Sequence, residues 1–323
     1  MKAVQITEFG GPEVMKYQDL SDLSPGDGQA LVQIEAIGVN YTDTYSRSGV
    51  NPTALPWVVG VEGAGVVKQV GTNVTQVSEG DAVVYCGIAG SYAEQAIVPA
   101  DRLIKIPQGL DSKASAAAML QGMTAHYLCH STYQVKQGDK VLVHAGPGGV
   151  GLLLIQMVKR LGGYVFSTVS TDAKAQLAKE AGADEVILYT SQDFAEEVNK
   201  STNGQGVEVV YDAVGQTTFD GSIKSLARRG YMVLYGQASG PVPPVDPRVL
   251  GNGSKFLTRP GLGDYTVTRQ ELEQRAGDVL GWVKSGELKL RIEHIMALSE
   301  ASEAHRQLES RLTTGKVLSL IHI

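Results

Sequence analysis

The segment Lys140–Val158 constrains this chain more than any other. A short apolar run, Lys140-Val-Leu-Val-His144, enters Gly146-Pro-Gly-Gly-Val-Gly151 and leaves at once as Leu152-Leu-Leu-Ile-Gln-Met-Val158. In a strand–turn–helix setting each glycine of Gly-x-Gly-x-x-Gly has a separate task. One makes the tight turn, one lets backbone approach a diphosphate, and one lets helix and strand pack closely. The helix start supplies unpaired N–H donors and the positive end of its dipole. Gly148, Gly149 and Val150 are therefore expected to face the diphosphate of a dinucleotide. The alternative is a tight strand–helix connection that holds no ligand.

The surrounding pattern extends that unit. Predicted strands at Lys140–His144, Tyr164–Val169, Glu185–Leu188, Val207–Asp212 and Tyr231–Tyr235 alternate with predicted helices. The helices are expected at Val150–Leu161, Asp172–Ala181, Phe194–Lys200 and Thr217–Ala227. Such alternation predicts a parallel sheet with helices on both faces, a doubly wound Rossmann α/β domain over residues 123–265. Residues 1–122 read differently. Alternating runs such as Ala30–Glu35, Gly65–Val70 and Asp81–Tyr85 are broken by Pro25-Gly-Asp-Gly28, Gly71-Thr-Asn73 and Glu79-Gly-Asp81, which predicts a β-rich, partly barrel-like antiparallel domain. Residues 266–323, with a helix at Thr268–Lys284, a strand near Arg291–Ile295, a helix at Ser299–Glu309 and a strand at Val317–Ile321, are assigned to the same β-rich domain.

Composition narrows the function classes. The 323 residues carry a net charge of −6 and form no basic stripe, which argues against nucleic acid as a partner. No run of about 18 apolar residues suggests a membrane span, and the start Met1-Lys-Ala-Val-Gln5 has no signal-peptide core. Two cysteines, Cys86 and Cys129, stand far apart and unpatterned, which fits a reducing cytoplasm.

A zinc alcohol dehydrogenase also joins a β-rich domain to a Rossmann domain. Zinc requires three or four thiolate, imidazole or carboxylate ligands. Where those enzymes carry a cysteine before a Thr-Asp pair, this chain has Asn40. Where they carry a histidine between the first Gly and the Glu, it has Val61 in Gly60-Val-Glu-Gly-Ala-Gly65. No four-cysteine lobe exists. His126 and His130 stand four apart on a predicted helix without a third ligand nearby, and His144 reads as structural. No metal site is expected.

The chain resembles the zinc-independent medium-chain dehydrogenases/reductases, and within them the NADPH:quinone oxidoreductases of the zeta-crystallin type. The resemblance rests on Gly38-Val-Asn-Tyr-Thr-Asp-Thr-Tyr-Ser-Arg-Ser-Gly49, Gly60–Gly65, Gln121-Gly-Met-Thr-Ala125, His144–Gly151, Val209-Val-Tyr-Asp-Ala-Val-Gly215, Tyr235-Gly-Gln-Ala-Ser-Gly240, Thr258-Arg-Pro260 and Leu308-Glu-Ser-Arg311. It implies a β-rich GroES-like catalytic domain, a Rossmann coenzyme domain, and hydride or electron transfer from NADPH to quinones in the cytoplasm. It implies that Asn40, Thr124, Tyr127, Tyr235, Gly236, Gln237, Ala238, Pro260, Gly261 and Arg311 border the cofactor. Ser170, Thr171 and Lys174 fall where the family binds the 2′-phosphate, and Tyr189 where its tyrosine flanks that group.

From the residues alone, Lys174 reads better as a solvated helix lysine; the resemblance is what turns it toward the 2′-phosphate. Asp172 reads as an N-cap or first-turn acid rather than as a ribose ligand. Catalysis is assigned to a loop holding Asn40, Asp43 and Tyr45. Tyr45 would hydrogen-bond a quinone oxygen as charge develops on it, and Asp43 would hold the loop. The family often has a tyrosine where this chain has Asn51. The substrate pocket is expected in a cleft between the domains. The resemblance implies a homodimer, formed through an edge strand near Phe256–Thr258. Two other functions stay open: an NADPH-dependent reductase of α,β-unsaturated carbonyls, and a non-enzymatic NADPH-binding or RNA-binding protein.

Overall fold

The computed structural model describes residues 1–321 and divides into two compact units, Met1–Met123 with Thr266–Ile323, and Thr124–Tyr265. The first unit opens with β1 (Lys2–Ile6), β2 (Lys16–Asp19) and β3 (Gln29–Val39), followed by helix α1 (Tyr41–Ser48). Strands β4 (Trp57–Val58), β5 (Glu62–Val70), β6 (Ala82–Cys86), β7 (Gln95–Pro99) and β8 (Ile104–Lys105) follow, and helix α2 (Ser112–Tyr127) leads out.

The second unit holds β9 (Lys140–Val143), α3 (Gly149–Arg160), β10 (Tyr164–Val169), α4 (Asp172–Glu180), β11 (Glu185–Leu188) and α5 (Phe194–Ser201). It continues with β12 (Val207–Asp212), α6 (Phe219–Ser225), β13 (Leu226–Leu234) and β14 (Phe256–Thr258). The chain then returns to the first unit as α7 (Arg269–Ser285), β15 (Ile292–Ala297), α8 (Ala301–Glu309) and β16 (Lys316–Leu320).

In the second unit every strand pairing is parallel, in the order β11-β10-β9-β12-β13-β14. Renumbered within the unit this is 3-2-1-4-5-6, the doubly wound Rossmann order. Right-handed crossovers then put α3 with α4 on one face and α5 with α6 on the other, and each pair is in contact. The core strands are predominantly apolar because both faces are covered; Leu142, Phe166, Ile187, Val210 and Met232 lie inside. Helix α3 buries Leu152–Ile155, Met157 and Val158 and ends on Lys159 and Arg160, which suit the negative end of its dipole.

The first unit is built on β3. Its eleven residues pair antiparallel with β5 along most of their length, with β7 over Gln29–Gln33 and with β16 over Ala36–Val39. The resulting sheet runs β15-β16-β3-β5-β6-β8, with β7 off that path on β3; a second sheet runs β2-β1-β4. Val32, Ile34, Ile37, Val67, Val83, Tyr85, Val98 and Val317 form the interior.

Three expectations are corrected. The segment after β3 is helix α1, not a loop. The end of the stretch read as β-rich, 112–122, belongs to helix α2 (Ser112–Tyr127). The helix expected to reach Ala227 ends at Ser225, where β13 begins.

Candidate functional site

The glycine turn shows why each small residue is needed. A Cβ on Gly146 would stand 1.9 Å from Ser167 Oγ, and one on Gly151 would stand 2.5 Å from the Ala145 carbonyl oxygen and 2.6 Å from that of Gly146. Ala145 itself takes a left-handed conformation with φ +53°. Gly148 is the N-cap of α3 and brings no side-chain cap. The N–H groups of Gly149, Val150 and Gly151 therefore lack helical acceptors. Unpaired backbone N–H groups at a helix start are what the diphosphate of a dinucleotide requires.

Of the other expected cofactor residues, Ser170, Tyr189 and Tyr235–Ala238 lie at the same carboxyl edge of the sheet. Ser170 follows β10 and Tyr189 follows β11; the register Val169↔Leu188 sets them side by side. Thr171 is the N-cap of α4, and its hydroxyl accepts from the Lys174 N–H at 3.3 Å. Asp172 occupies the exposed first turn of that helix, beyond the end of the strand. After β13, the N–H groups of Tyr235 and Gly236 donate to the Asp212 carbonyl (2.9 and 3.2 Å), and that of Ala238 donates to Ala213 (3.1 Å). Gly236 is obligatory there, since a Cβ would meet the Ala213 oxygen at 2.5 Å. Arg259 Nη1 donates to the Leu234 carbonyl at 2.9 Å and Nη2 to Gln237 Oε1 at 3.4 Å, next to Pro260 and Gly261. Thr124 and Tyr127 are buried, Tyr127 stacked on Tyr265 at 4.4 Å. Arg311 belongs to the other unit, at an exposed turn with φ +61° after α8.

His144 is structural in its contacts. Ser222 Oγ donates to Asp212 Oδ2 (2.9 Å), so His144 Nε2 must donate to Ser222 (3.0 Å) while Nδ1 accepts from Thr168 (2.9 Å). Burial holds this imidazole below its usual range, and therefore neutral. The His126 and His130 rings stack at 4.3 Å, and His130 Nδ1 lies 3.1 Å from the His126 carbonyl.

In the β-rich unit, the candidates Asn40, Asp43 and Tyr45 sit at the start of α1. Tyr45 lies one helical turn from Tyr41, their rings 5.4 Å apart. Asp43 is fully buried. Its Oδ2 accepts from the Asn40 N–H at 2.9 Å and from Tyr92 Oη at 3.1 Å, while Oδ1 has no partner. A directed chain stands behind it. Arg47, only a donor, donates to His305 Nδ1 (3.1 Å) and pairs with Glu309 (2.6 Å); His305 Nε2 then donates to Tyr92 Oη (3.0 Å), and Tyr92 donates to Asp43. Burial raises the Asp43 carboxyl to about 7. Burial, helped by Arg47, depresses His305 to about 3.

Asn40 is 3 % exposed. Its Nδ2 donates to Glu62 Oε2 (2.7 Å) and to the Gly38 carbonyl (3.1 Å), and its Oδ1 accepts from Lys316 Nζ (2.8 Å) and Gln121 (3.4 Å). Lys316 also pairs directly with Glu62, whose other oxygen accepts from the Leu120 N–H. Sequence reasoning missed Glu62, Tyr92, His305 and Lys316. No local signal marked them: Gly38, where a Cβ would stand 1.9 Å from Glu62 Oε2, meets Glu62 only once β3 and β5 have paired. An amide, the aliphatic Val61 and a carboxylate already neutralised by Lys316 offer zinc neither thiolate nor imidazole. These residues do not fit a zinc ion.

Residues 26–108 match the family described as alcohol dehydrogenase GroES-like domain, and residues 149–274 the family described as zinc-binding dehydrogenase. The quinone oxidoreductase of Pseudomonas aeruginosa is 41% identical over 322 residues, 99% of each chain. The 2-haloacrylate reductase of a Burkholderia species is 40% identical over 329 residues, 98% of each chain. The crystal structure of Escherichia coli quinone oxidoreductase complexed with NADPH superposes with a TM-score of 0.97 at 38% identity, covering 99% of this chain and 100% of that one. By fold, by its glycine turn and by these full-length likenesses, the chain belongs to the quinone oxidoreductase family of medium-chain dehydrogenases/reductases.

Proposed function

We propose that this protein is an NADPH-dependent quinone reductase. The observation that carries the reading is the gathering of Gly148–Val150, Ser170–Lys174, Tyr189 and Tyr235–Ala238 at one sheet edge, in a chain akin throughout to a quinone oxidoreductase complexed with NADPH. In this reading the α3 N-terminus holds the diphosphate. Ser170, Thr171, Lys174 and Tyr189 select the 2′-phosphate, and backbone groups after β13, with Pro260, Gly261, Thr124 and Tyr127, frame the nicotinamide end. The bound cofactor supplies a hydride. The protein orients it and stabilises charge on the acceptor, with Tyr45 hydrogen-bonding a quinone oxygen and Asp43 holding the first turn of α1.

The kinship to a 2-haloacrylate reductase favours a second reading, hydride transfer to an activated alkene. One assay separates them: NADPH consumption by the purified protein with a simple quinone, an alkenal or 2-chloroacrylate as acceptor. Quinone turnover faster than either alkene supports the proposal. Tight NADPH binding with no quinone turnover overturns it.

No helix among the described residues is long and apolar enough to cross a membrane. We place the enzyme in the cytoplasm as a homodimer formed through β14. That strand lies at the sheet edge, and its Phe256 is exposed and stacked on Tyr231 at 4.5 Å.

A further inference from the structure

Three adjacent strands bring Lys316, Asn40 and Glu62 into one row. The register Val317↔Val39 sets Lys316 across from Asn40 on β16, and Ile37↔Gly63 sets Glu62 across from Gly38 on β5. Glu62 and Lys316 are buried, with side chains 0% and 3% exposed, and they meet over the bare Cα of Gly38. An isolated charge does not survive such burial; a pair does when hydrogen bonds complete it. Asn40 completes this one.

A carboxamide has two N–H groups and two acceptor lone pairs. On Asn40 all four are taken, by Glu62, Gly38, Lys316 and Gln121. The two charges also fix which way the amide is turned. Flipped, its NH2 would face the Lys316 ammonium and its carbonyl the Glu62 carboxylate, and two charge-assisted hydrogen bonds would become repulsions. The backbone N–H of the same residue is held by Asp43, so the locked amide anchors the first turn of the helix that carries Tyr41 and Tyr45.

We propose that Lys316 is a positioning residue of the reductase site. It acts through Asn40: paired with Glu62, its ammonium fixes the orientation of the Asn40 amide and hence the start of α1, and it leaves that amide no polar atom to offer a ligand. The inference rests on the quinone-reductase reading for its effect on turnover.

The test uses the full-length protein. Lys316→Met leaves Glu62 bare and is expected to fold poorly, so the deciding variant is Glu62→Gln/Lys316→Met, which buries no charge. Lys316→Arg is the conservative control. Three quantities are read: hydrogen exchange of the Asn40 side-chain amide by nitrogen-15 NMR, the NADPH dissociation constant, and kcat with a simple quinone. We expect the double variant to lose amide protection and to lose roughly tenfold to a hundredfold in kcat, as small misplacements do, with the NADPH dissociation constant unchanged. Lys316→Arg is expected to restore part of kcat.

A folded double variant with a protected Asn40 amide and full kcat would overturn the inference. So would a fall in kcat matched by an equal loss of NADPH affinity, the mark of a purely structural role. If the wild-type protein turns over no quinone, the proposed function falls, and the amide measurement alone then decides whether Lys316 holds Asn40.

Discussion

The buried carboxyl of Asp43 gives a quantitative test of the network behind α1. Desolvation raises it from 3.8 to about 7, against the opposing hydrogen bonds from Asn40 and Tyr92. For an acid, a folded-state value above the unfolded one means that the folded protein binds a proton the unfolded chain has lost. Stability from this group is therefore fully present below about pH 4 and is lost as pH rises to about 7. The difference between 3.8 and about 7 corresponds to about 4 kcal/mol. His305, depressed to about 3, acts in the opposite sense, since its contribution is lost as pH falls below its unfolded value near 6.5. A comparison of Asp43→Asn with wild type cancels the histidine.

Asparagine keeps an oxygen for Asn40 and Tyr92 and puts its NH2 where Oδ1 now has no partner, a pH-independent cost of about 1–3 kcal/mol. The stability difference, variant minus wild type, should therefore rise by about 4 kcal/mol between about pH 4 and 7 and be flat on either side. Urea unfolding across that range measures it, and a carbon-13 titration of the Asp43 carboxyl checks its cause. A difference independent of pH, or one that falls as pH rises, would refute the reasoning.

Three other outcomes follow from the geometry. Gly38→Ala drives a Cβ to 1.9 Å from Glu62 Oε2; it should break the Lys316–Glu62–Asn40 row and lower thermal stability by about 3 kcal/mol or more, read by calorimetry. Gly151→Ala places a Cβ 2.5 Å from the Ala145 carbonyl; moving the turn should weaken NADPH binding roughly tenfold, about 1.4 kcal/mol by titration calorimetry. Lys174→Ala should reduce the preference for NADPH over NADH while leaving NADH affinity unchanged, because a charge contact to a 2′-phosphate is worth about 1.5–3 kcal/mol; equal losses for both cofactors would remove Lys174 from that role.

The parallel-sheet unit was legible because its signals are local. Apolar strands of four to six residues, stop glycines such as Gly162 and Gly182, and the glycine turn are all short-range patterns, and the observed β10, β11 and β12 coincide with the expected segments. Helix α1 was not legible. Tyr41-Thr-Asp-Thr-Tyr-Ser-Arg-Ser48 has no apolar period, and what makes it helical is the buried Asp43 at its first turn and Arg47 paired with Glu309, 262 residues away. Helix α2 did carry a signal, its run Ala116-Ala-Ala118 with high helix propensity, which the neighbouring β-rich pattern obscured. The row around Asn40 could not be read at all: Glu62 and Lys316 are 254 residues apart, and only pairing of β16 with β3 makes them neighbours.

The return of the chain to β3 through β16 also sets an order of assembly. Residues 124–265 are contiguous and hold all six strands of their sheet, so that unit can fold as soon as it leaves the ribosome. The unit begun first must wait. Until Lys316–Leu320 is synthesised, β3 has an open edge at Ala36–Val39 and Glu62 lacks its cation. An unpaired strand edge beside a bare carboxylate is vulnerable to aggregation and proteolysis, so the nascent enzyme stays exposed to both until Lys316–Leu320 has emerged and paired.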